Sequence, residues 1–188
     1  MIRSFVALNI PSQVNEEIGD IIGELKKLGG DVKWVKPQNL HLTLKFLGEV
    51  EPVTLEKVYQ KVEACAQKTQ VFSFSLSGAG LFPNPKRPRV FWTGIKGGER
   101  ELESLFRCLE GELEALGFQK EKRGFSPHLT IGRARTTQGM ERLVERIKGI
   151  EYRSKRIEGS SLFVLKSQLT PQGPIYSPLR EFKFKKGR

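Results

Sequence analysis

Two short stretches of the sequence repeat one pattern around histidine. His41 and His128 are the only two histidines of the chain, and each is followed by leucine, threonine and an aliphatic residue. Leucine and threonine each make up roughly 5 to 10% of an ordinary composition, so chance places this pair after one histidine about once in a few hundred trials. A lone histidine is more often a hydrogen-bonded structural residue, but the repetition predicts that these two act together.

Two imidazoles suit a displacement at phosphorus. The ordinary pKa of an imidazole is about 6.5, so near neutral pH one ring can accept a proton while the other donates one. Acting on the attacking and departing oxygens, each ring is worth roughly 10²- to 10⁴-fold in rate. We expect neither a metal nor another cofactor, since two histidines with scattered carboxylates do not predict a zinc site.

The threonines of the pattern fit the same reaction. Side chains alternate between the two faces of a β-strand, so Thr43 is expected beside His41 and Thr130 beside His128. A threonine hydroxyl in this position can donate a hydrogen bond to a non-bridging phosphate oxygen. Both threonines are therefore candidate phosphate ligands.

Two basic residues follow the motifs. By strand alternation, Lys45 is expected on the same face as Thr43 and is a candidate source of positive charge. Arg133 lies an odd number of residues after Thr130, so in an unbroken strand its side chain would point to the opposite face. It reaches the phosphate only if its strand bulges or ends near Gly132.

The motifs must be positioned by strands and helices, and apolar spacing predicts both. The expected strands are 5–10, 41–48, 72–76, 90–95, 128–131, 162–166 and 175–184, and the expected helices carry apolar stripes at 14–28, 55–62, 102–116 and 140–147. Strand, helix, histidine strand and helix thus occur twice, with the histidines 128 − 41 = 87 positions apart. This order predicts an internal duplication in an α+β protein of two similar lobes. No serine- or glycine-rich linker separates the lobes, so residues 1–188 are expected to form one bilobal domain.

Two further segments are expected to be irregular. Residues 78–89 are rich in glycine, proline and basic side chains, which favours a solvated surface loop, with a basic lip for a polyanion as the alternative. The basic end, residues 183–188, is expected to be a solvated terminus.

The composition is that of a basic globular protein. The chain has 188 residues, of which 38% are hydrophobic and 28% charged, and its net charge of +11 favours polyanionic partners. Cys65 and Cys108 lie in expected helices and are predicted to be buried free thiols in a reducing compartment. No apolar run has the length of a signal peptide or a membrane span, so we expect a cytoplasmic protein that does not contact membranes.

The sequence lacks the motifs of several nucleotide-dependent functions. The sequence has no Gly-x-x-x-x-Gly-Lys-Ser/Thr phosphate loop, and 78–80 lacks the third glycine of a dinucleotide loop. It also lacks the Lys-x-Asp-Gly of ATP-dependent ligases. Any joining activity would therefore use energy already stored in a strained cyclic phosphate.

The doubled motif resembles that of the 2H phosphoesterases. More narrowly, the chain is similar to the bacterial and archaeal RNA 2′,3′-cyclic phosphodiesterases, also named 2′-5′ RNA ligases. The resemblance covers nearly the whole chain and rests on 5–8, 39–48, 78–92, 125–133 and 173–176. It implies a bilobal α+β fold with pseudo-twofold symmetry, antiparallel-rich sheets, outer helices, and His-x-Thr strands that face a central cleft.

The resemblance also implies an activity and roles for the residues. The activity is hydrolysis of a 2′,3′-cyclic phosphate RNA end to a 2′-phosphate, with RNA, for example tRNA fragments, as the partner of a monomeric enzyme. By motif position, His41 resembles the proton donor and His128 the proton acceptor. Thr43, Thr130 and Arg133 resemble the phosphate-binding residues. The residues alone do not order the two histidines, because the motifs are too alike.

Other functions remain open at this point. The same residues, catalysing the reverse reaction, would join RNA ends through a 2′-5′ bond without ATP. A non-catalytic RNA-binding module is a further alternative, although arginine or lysine would grip phosphate better than two half-charged imidazoles. Phe46, Phe125 and Trp92 are candidates to stack on a base, but each is expected in the core.

Overall fold

The fold is α+β, and a computed structural model describes residues 1–122 and 124–186 of it. The strands are β1 (Ile2–Asn9), β2 (Val32–Trp34), β3 (His41–Val50), β4 (Phe72–Phe82), β5 (Val90–Lys96), β6 (His128–Ala134), β7 (Ile157–Gly159), β8 (Ser161–Thr170) and β9 (Gly173–Lys183). The helices are α1 (Ser12–Lys26), α2 (Pro52–Ala66), α3 (Glu99–Glu114) and α4 (Glu141–Lys148), and a 3₁₀ turn covers Pro37–Asn39.

The strands form two antiparallel sheets. The four-stranded sheet has the order β3-β1-β8-β9, and the five-stranded sheet has the order β2-β6-β5-β4-β7. The two histidine strands, β3 and β6, contact each other across the boundary between the sheets. The predicted α+β class with antiparallel sheets is confirmed.

The duplication is visible in the order of elements, but neither half of the chain builds a sheet by itself. The series β1-α1-β3-α2-β4 is repeated as β5-α3-β6-α4-β8, with β2, β7 and β9 as additions. β4 pairs with β5 of the second half, and β8 pairs with β1 of the first. Each half therefore contributes strands to the sheet of the other, namely β2 and β4 from the first half and β8 and β9 from the second.

The helices bury their apolar stripes against the sheets. In α1 the buried positions Val14, Ile18, Ile22 and Leu25 recur every three or four residues, which places them on one side of the helix. α2 contacts β8 and β9, α3 contacts β3, and α4 contacts β4. α1 lies beside α4, to which it is joined by an ion pair between Glu24 and Arg146.

None of the described helices has the length and hydrophobicity needed to cross a membrane.

The prediction of two free cysteines is wrong. Cys65 of α2 and Cys108 of α3 form a disulfide, with their Cα atoms 5.8 Å apart. The sequence placed both on helices but could not show that these helices pack side by side, which is the condition that the bond requires.

The two segments expected to be irregular are partly regular. β4 continues through Gly78 to Phe82 and pairs with β5. Glycine is required at position 80, since a Cβ there would collide with the ring of Trp92. Near the end of the chain, Phe184 is buried in the core and Lys185 bridges to Gln70, so the terminus is not frayed at these positions. Residues 187 and 188 of the predicted solvated end lie outside the described residues.

Candidate active site

His41 begins β3 and lies on the sheet face opposite the helices. The next residue, Leu42, points the other way into the main core. The imidazole of His41 lies 4.7 Å from the ring of Phe5 and 5.0 Å from that of Tyr176, measured between centroids. Its Nδ1 is 2.7 Å from the carbonyl oxygen of Asn39. The ring is therefore held by packing and by a hydrogen bond.

His128 begins β6 and has closely similar surroundings. Leu129 enters the main core, while the imidazole lies 5.1 Å from the ring of Phe82 and 6.4 Å from that of Trp92. Its Nδ1 is 2.7 Å from the carbonyl oxygen of Ser126. Both histidines thus bond to the carbonyl two residues before them and are flanked by two aromatic rings.

The matched hydrogen bonds fix how each ring can exchange protons. A carbonyl oxygen only accepts, so Nδ1 of His41 and Nδ1 of His128 must each carry the hydrogen. Nε2 of each ring is then the atom available to accept or donate a proton. This is the arrangement that an acid–base pair requires.

One arginine influences both rings. Burial lowers the pKa of His41 and of His128, and the positive charge of Arg133 lowers both further, while the hydrogen bonds to the backbone oppose the change. A single guanidinium that acts on both imidazoles lies near both, although 87 positions separate them in sequence. The contact between β3 and β6 places the strands that carry these three side chains in one region.

A β-bulge brings Arg133 to this region. Opposite β5, Thr130 pairs with Trp92 and Gly132 pairs with Phe91, so Ile131 is an extra residue in β6. An extra residue reverses the alternation of side chains beyond it. Arg133 consequently returns to the face of His128, which meets the condition under which the sequence placed it in the site.

A similar bulge in β3 removes Lys45 from the site. Thr43 pairs with Ala7 and Lys45 with Val6, which leaves Leu44 as the extra residue. Lys45 therefore points towards the helices, where its Nζ lies 2.6 Å from Oε1 of Glu110 in α3. The prediction that Lys45 shares the face of His41 is wrong.

The two threonines keep their predicted side of the strands, because each precedes the bulge. Thr43 lies opposite Ala7, which belongs to the same apolar cluster as Phe5. Thr130 lies opposite Trp92, whose ring approaches His128. Each hydroxyl is thus placed on the face of its histidine and half-buried beside it.

Sequence reasoning missed the groups that hold the histidines. Phe5 and Tyr176 pack against His41. The side-chain amide of Asn39 donates to the carbonyl of Pro174 at 2.8 Å, which ties the turn before His41 to β9. The sequence indicates Tyr176 only through the resemblance, which includes residues 173–176. Its neighbours could not be identified because β1, β3 and β9 meet only in the folded sheet.

In the part of the chain that the structure describes, acidic and thiol side chains are not grouped around the histidines as metal ligands. Within residues 1–122 and 124–186, no three histidine, cysteine, aspartate or glutamate side chains cluster as metal ligands would. The groups on the histidine face are instead imidazole, hydroxyl, guanidinium and aromatic rings.

Comparison with protein families gives one match over most of the chain. The family described as LigT like Phosphoesterase matches residues 8–92 and 95–176. The match includes both histidine motifs and the strands and helices that carry them.

Curated relatives and a solved structure are similar over nearly the whole length. A protein named RNA 2′,3′-cyclic phosphodiesterase from Methanothermobacter thermautotrophicus is 36% identical over 185 residues, covering 97% of this chain and 98% of the relative. A protein of the same name from Thermotoga maritima is 35% identical, covering 98% and 97%. The crystal structure of TT0787 from Thermus thermophilus matches with a TM-score of 0.77 at 25% identity and covers 100% of both chains.

Proposed function

Because this chain belongs to the family of LigT-like phosphoesterases, we propose that it hydrolyses the 2′,3′-cyclic phosphate end of RNA to a 2′-phosphate. Family membership confirms the enzyme class predicted from the sequence, a hydrolase of phosphoric diesters. The observation that carries the RNA-end activity is the pair of imidazoles, each with Nδ1 bonded to a carbonyl, that share the charge of Arg133.

The proposed reaction uses both Nε2 atoms. Nε2 of His128 takes a proton from water as the water oxygen bonds to phosphorus. Nε2 of His41, in the protonated form, gives its proton to O3′ as the bond between phosphorus and O3′ breaks. The products are a 2′-phosphate monoester and a 3′-hydroxyl, and the two rings have exchanged protonation states.

Charge on the phosphate is proposed to be balanced by three donors. Thr43 and Thr130 lie beside the two histidines, so their hydroxyls are suited to donate to the non-bridging oxygens. Arg133 supplies the positive charge. When an anion neutralises this guanidinium, one cause of the lowered imidazole pKa values is weakened, and protonation of one ring becomes easier. Substrate binding would thus help to create the acid.

The test is turnover of RNA that carries a 2′,3′-cyclic phosphate, with EDTA present. We expect wild-type turnover to persist, and His41→Ala and His128→Ala each to lose about 10²- to 10⁴-fold in kcat. Arg135→Gln, an exposed change two residues beyond Arg133, is the control. Full activity in either histidine variant would reject the assignment, and loss of activity with EDTA would reject metal independence.

The order of the two histidines has its own test. A cyclic substrate with sulfur in place of O3′ has a leaving group that needs little protonation. If His41 is the acid, the defect of His41→Ala should largely disappear on this substrate, while that of His128→Ala should remain. Rescue of His128→Ala instead would reverse the roles.

Two of the remaining predictions can be tested with the same protein and variants. Reversible 2′-5′ joining without ATP would need one end with a cyclic phosphate and one with a hydroxyl, and it would stop in the same variants. Binding of RNA without any product would favour the non-catalytic module. Three expectations remain predictions: tRNA fragments as substrate, a monomeric state and a cytoplasmic location. Free cysteines no longer support a cytoplasmic location, because Cys65 and Cys108 form a disulfide.

A further inference from the structure

Phe46 is a large aromatic side chain that the fold leaves in solvent. It is 64% exposed, although it lies in the middle of β3. Its ring is 6.1 Å from that of Phe5, which is in turn 4.7 Å from His41. A single exposed apolar residue is ordinary on a protein surface, but this one lies one aromatic ring away from a candidate catalytic imidazole.

The position of Phe46 is set by the bulge at Leu44. Without the extra residue, Phe46 would point into the core with Leu42, as the sequence predicted. With it, Phe46 pairs with Phe5 and shares the face of His41. The bulge therefore exposes an aromatic ring on the candidate active face at the cost of burying Lys45.

Phe46 and Arg133 occupy equivalent positions in the duplicated motifs. Each is the fifth residue after its histidine, and each follows a one-residue bulge. The two halves are otherwise closely matched at the histidines, so this position is where the site becomes asymmetric. One end of the site carries a cation and the other carries an aromatic ring.

We propose that Phe46 stacks on the nucleobase of the terminal nucleotide and so sets the direction in which an RNA end enters the site. This inference rests on the proposed function. The negative charge of the phosphate favours binding near Arg133 and the imidazoles. A base is stabilised by stacking on the aromatic face of Phe46. Stacking tolerates any base because every base has a π-face. Phe46 would therefore favour ligands that carry a base, with no preference for one base over another.

The other two aromatic candidates are already engaged. Phe125 stacks on Phe106, with centroids 4.3 Å apart and ring planes within 10°. Trp92 covers Gly80 and packs against Phe82 at 5.0 Å. The outer face of Phe46 is the better platform, since more than half of its side chain is in contact with solvent.

The experiment compares ligands with and without a base. Binding of adenosine 2′-monophosphate and of inorganic phosphate is measured by calorimetry for wild type, Phe46→Ala and Phe46→Trp. We expect Phe46→Ala to weaken nucleotide binding about tenfold and to leave phosphate binding unchanged, and Phe46→Trp to retain nucleotide binding. Val53→Ala is the matched control, because Val53 is also 64% exposed but lies in the first turn of α2.

Turnover gives a second readout. Phe46→Ala should raise KM for adenosine 2′,3′-cyclic monophosphate but not for methyl riboside 2′,3′-cyclic phosphate, which lacks a base. Equal effects on both ligands, or no effect on either, would overturn the base platform. Because the calorimetry needs no catalysis, an inactive wild type that still binds nucleotide through Phe46 would reject the proposed reaction and keep the platform.

Discussion

At the scale of single residues, the site depends on one cation that two histidines share. His41 and His128 have the same hydrogen bond and the same kind of aromatic surroundings, and Arg133 lowers the pKa of both. The local motif supplies the chemistry of each ring. Proximity to Arg133 couples the two rings to each other and to any anion bound between them.

Replacing Arg133 should therefore shift both titrations in one direction. In Arg133→Gln the repulsion between guanidinium and imidazolium is lost, so the pKa of both histidines should rise, while burial, the larger cause, still holds each pKa down. The chain has two histidines, so an NMR titration of the imidazole signals follows each ring. Arg135→Gln, which removes an exposed partner of Asp31, should shift neither, and movement of one ring alone would contradict the shared cation.

At the scale of strands and helices, two bulges decide which side chains share the face of the histidines. The bulge in β6 turns Arg133 towards the histidines, and the bulge in β3 turns Lys45 away from them. Lys45 is 7% exposed and donates to the carbonyl of Gln119 as well as pairing with Glu110. Glu110 in turn accepts from the backbone N–H of Glu121, so this pair holds the backbone at Gln119 and Glu121, which follow α3.

Breaking this ion pair should destabilise the fold. Lys45→Met leaves the Glu110 carboxylate buried without its cation, which costs about 3 to 5 kcal/mol in the free energy of unfolding. Lys45→Met with Glu110→Gln should recover part of the loss, because no buried charge remains and the amide oxygen can still accept from Glu121.

Urea unfolding measures both variants of the ion pair. The control is Arg107→Met, which breaks the exposed pair of Arg107 with Glu103 on α3 and should cost less than about 1 kcal/mol. A Lys45→Met protein as stable as this control would show that the buried pair contributes little.

At the scale of the whole molecule, the two sheets are built by exchange between the halves of the chain. β4 leaves the first half to join β5, and β8 leaves the second half to join β1. The disulfide between α2 and α3 adds a covalent link between the halves. A half of the chain by itself therefore lacks a strand of its sheet, and it also lacks the histidine strand of the other half.

Fragments of the chain should therefore not fold alone. We expect 1–86 and 87–188, expressed separately, to lack a cooperative thermal transition by circular dichroism, because each lacks the strand that completes its sheet. The full chain should unfold in one transition. A fragment with its own sharp transition and dispersed NMR signals would instead indicate two independent domains.

Short-range patterns in the sequence predicted the candidate catalytic residues and the periodic elements. The repeated His-Leu-Thr pattern identified both histidines and both threonines, and apolar spacing located the helices and most strands, since both signals lie within a few neighbouring residues. The family followed from the same motifs.

Tertiary structure decided the features that need contact between distant segments. The bulges exist only in the pairing of β3 with β1 and of β6 with β5, so Lys45, Phe46 and Arg133 could not be assigned a face from alternation alone. The disulfide required α2 to lie beside α3, and the exchanged strands required both halves at once. Strand register and packing are set between segments far apart in the chain, and a local pattern carries no information about them.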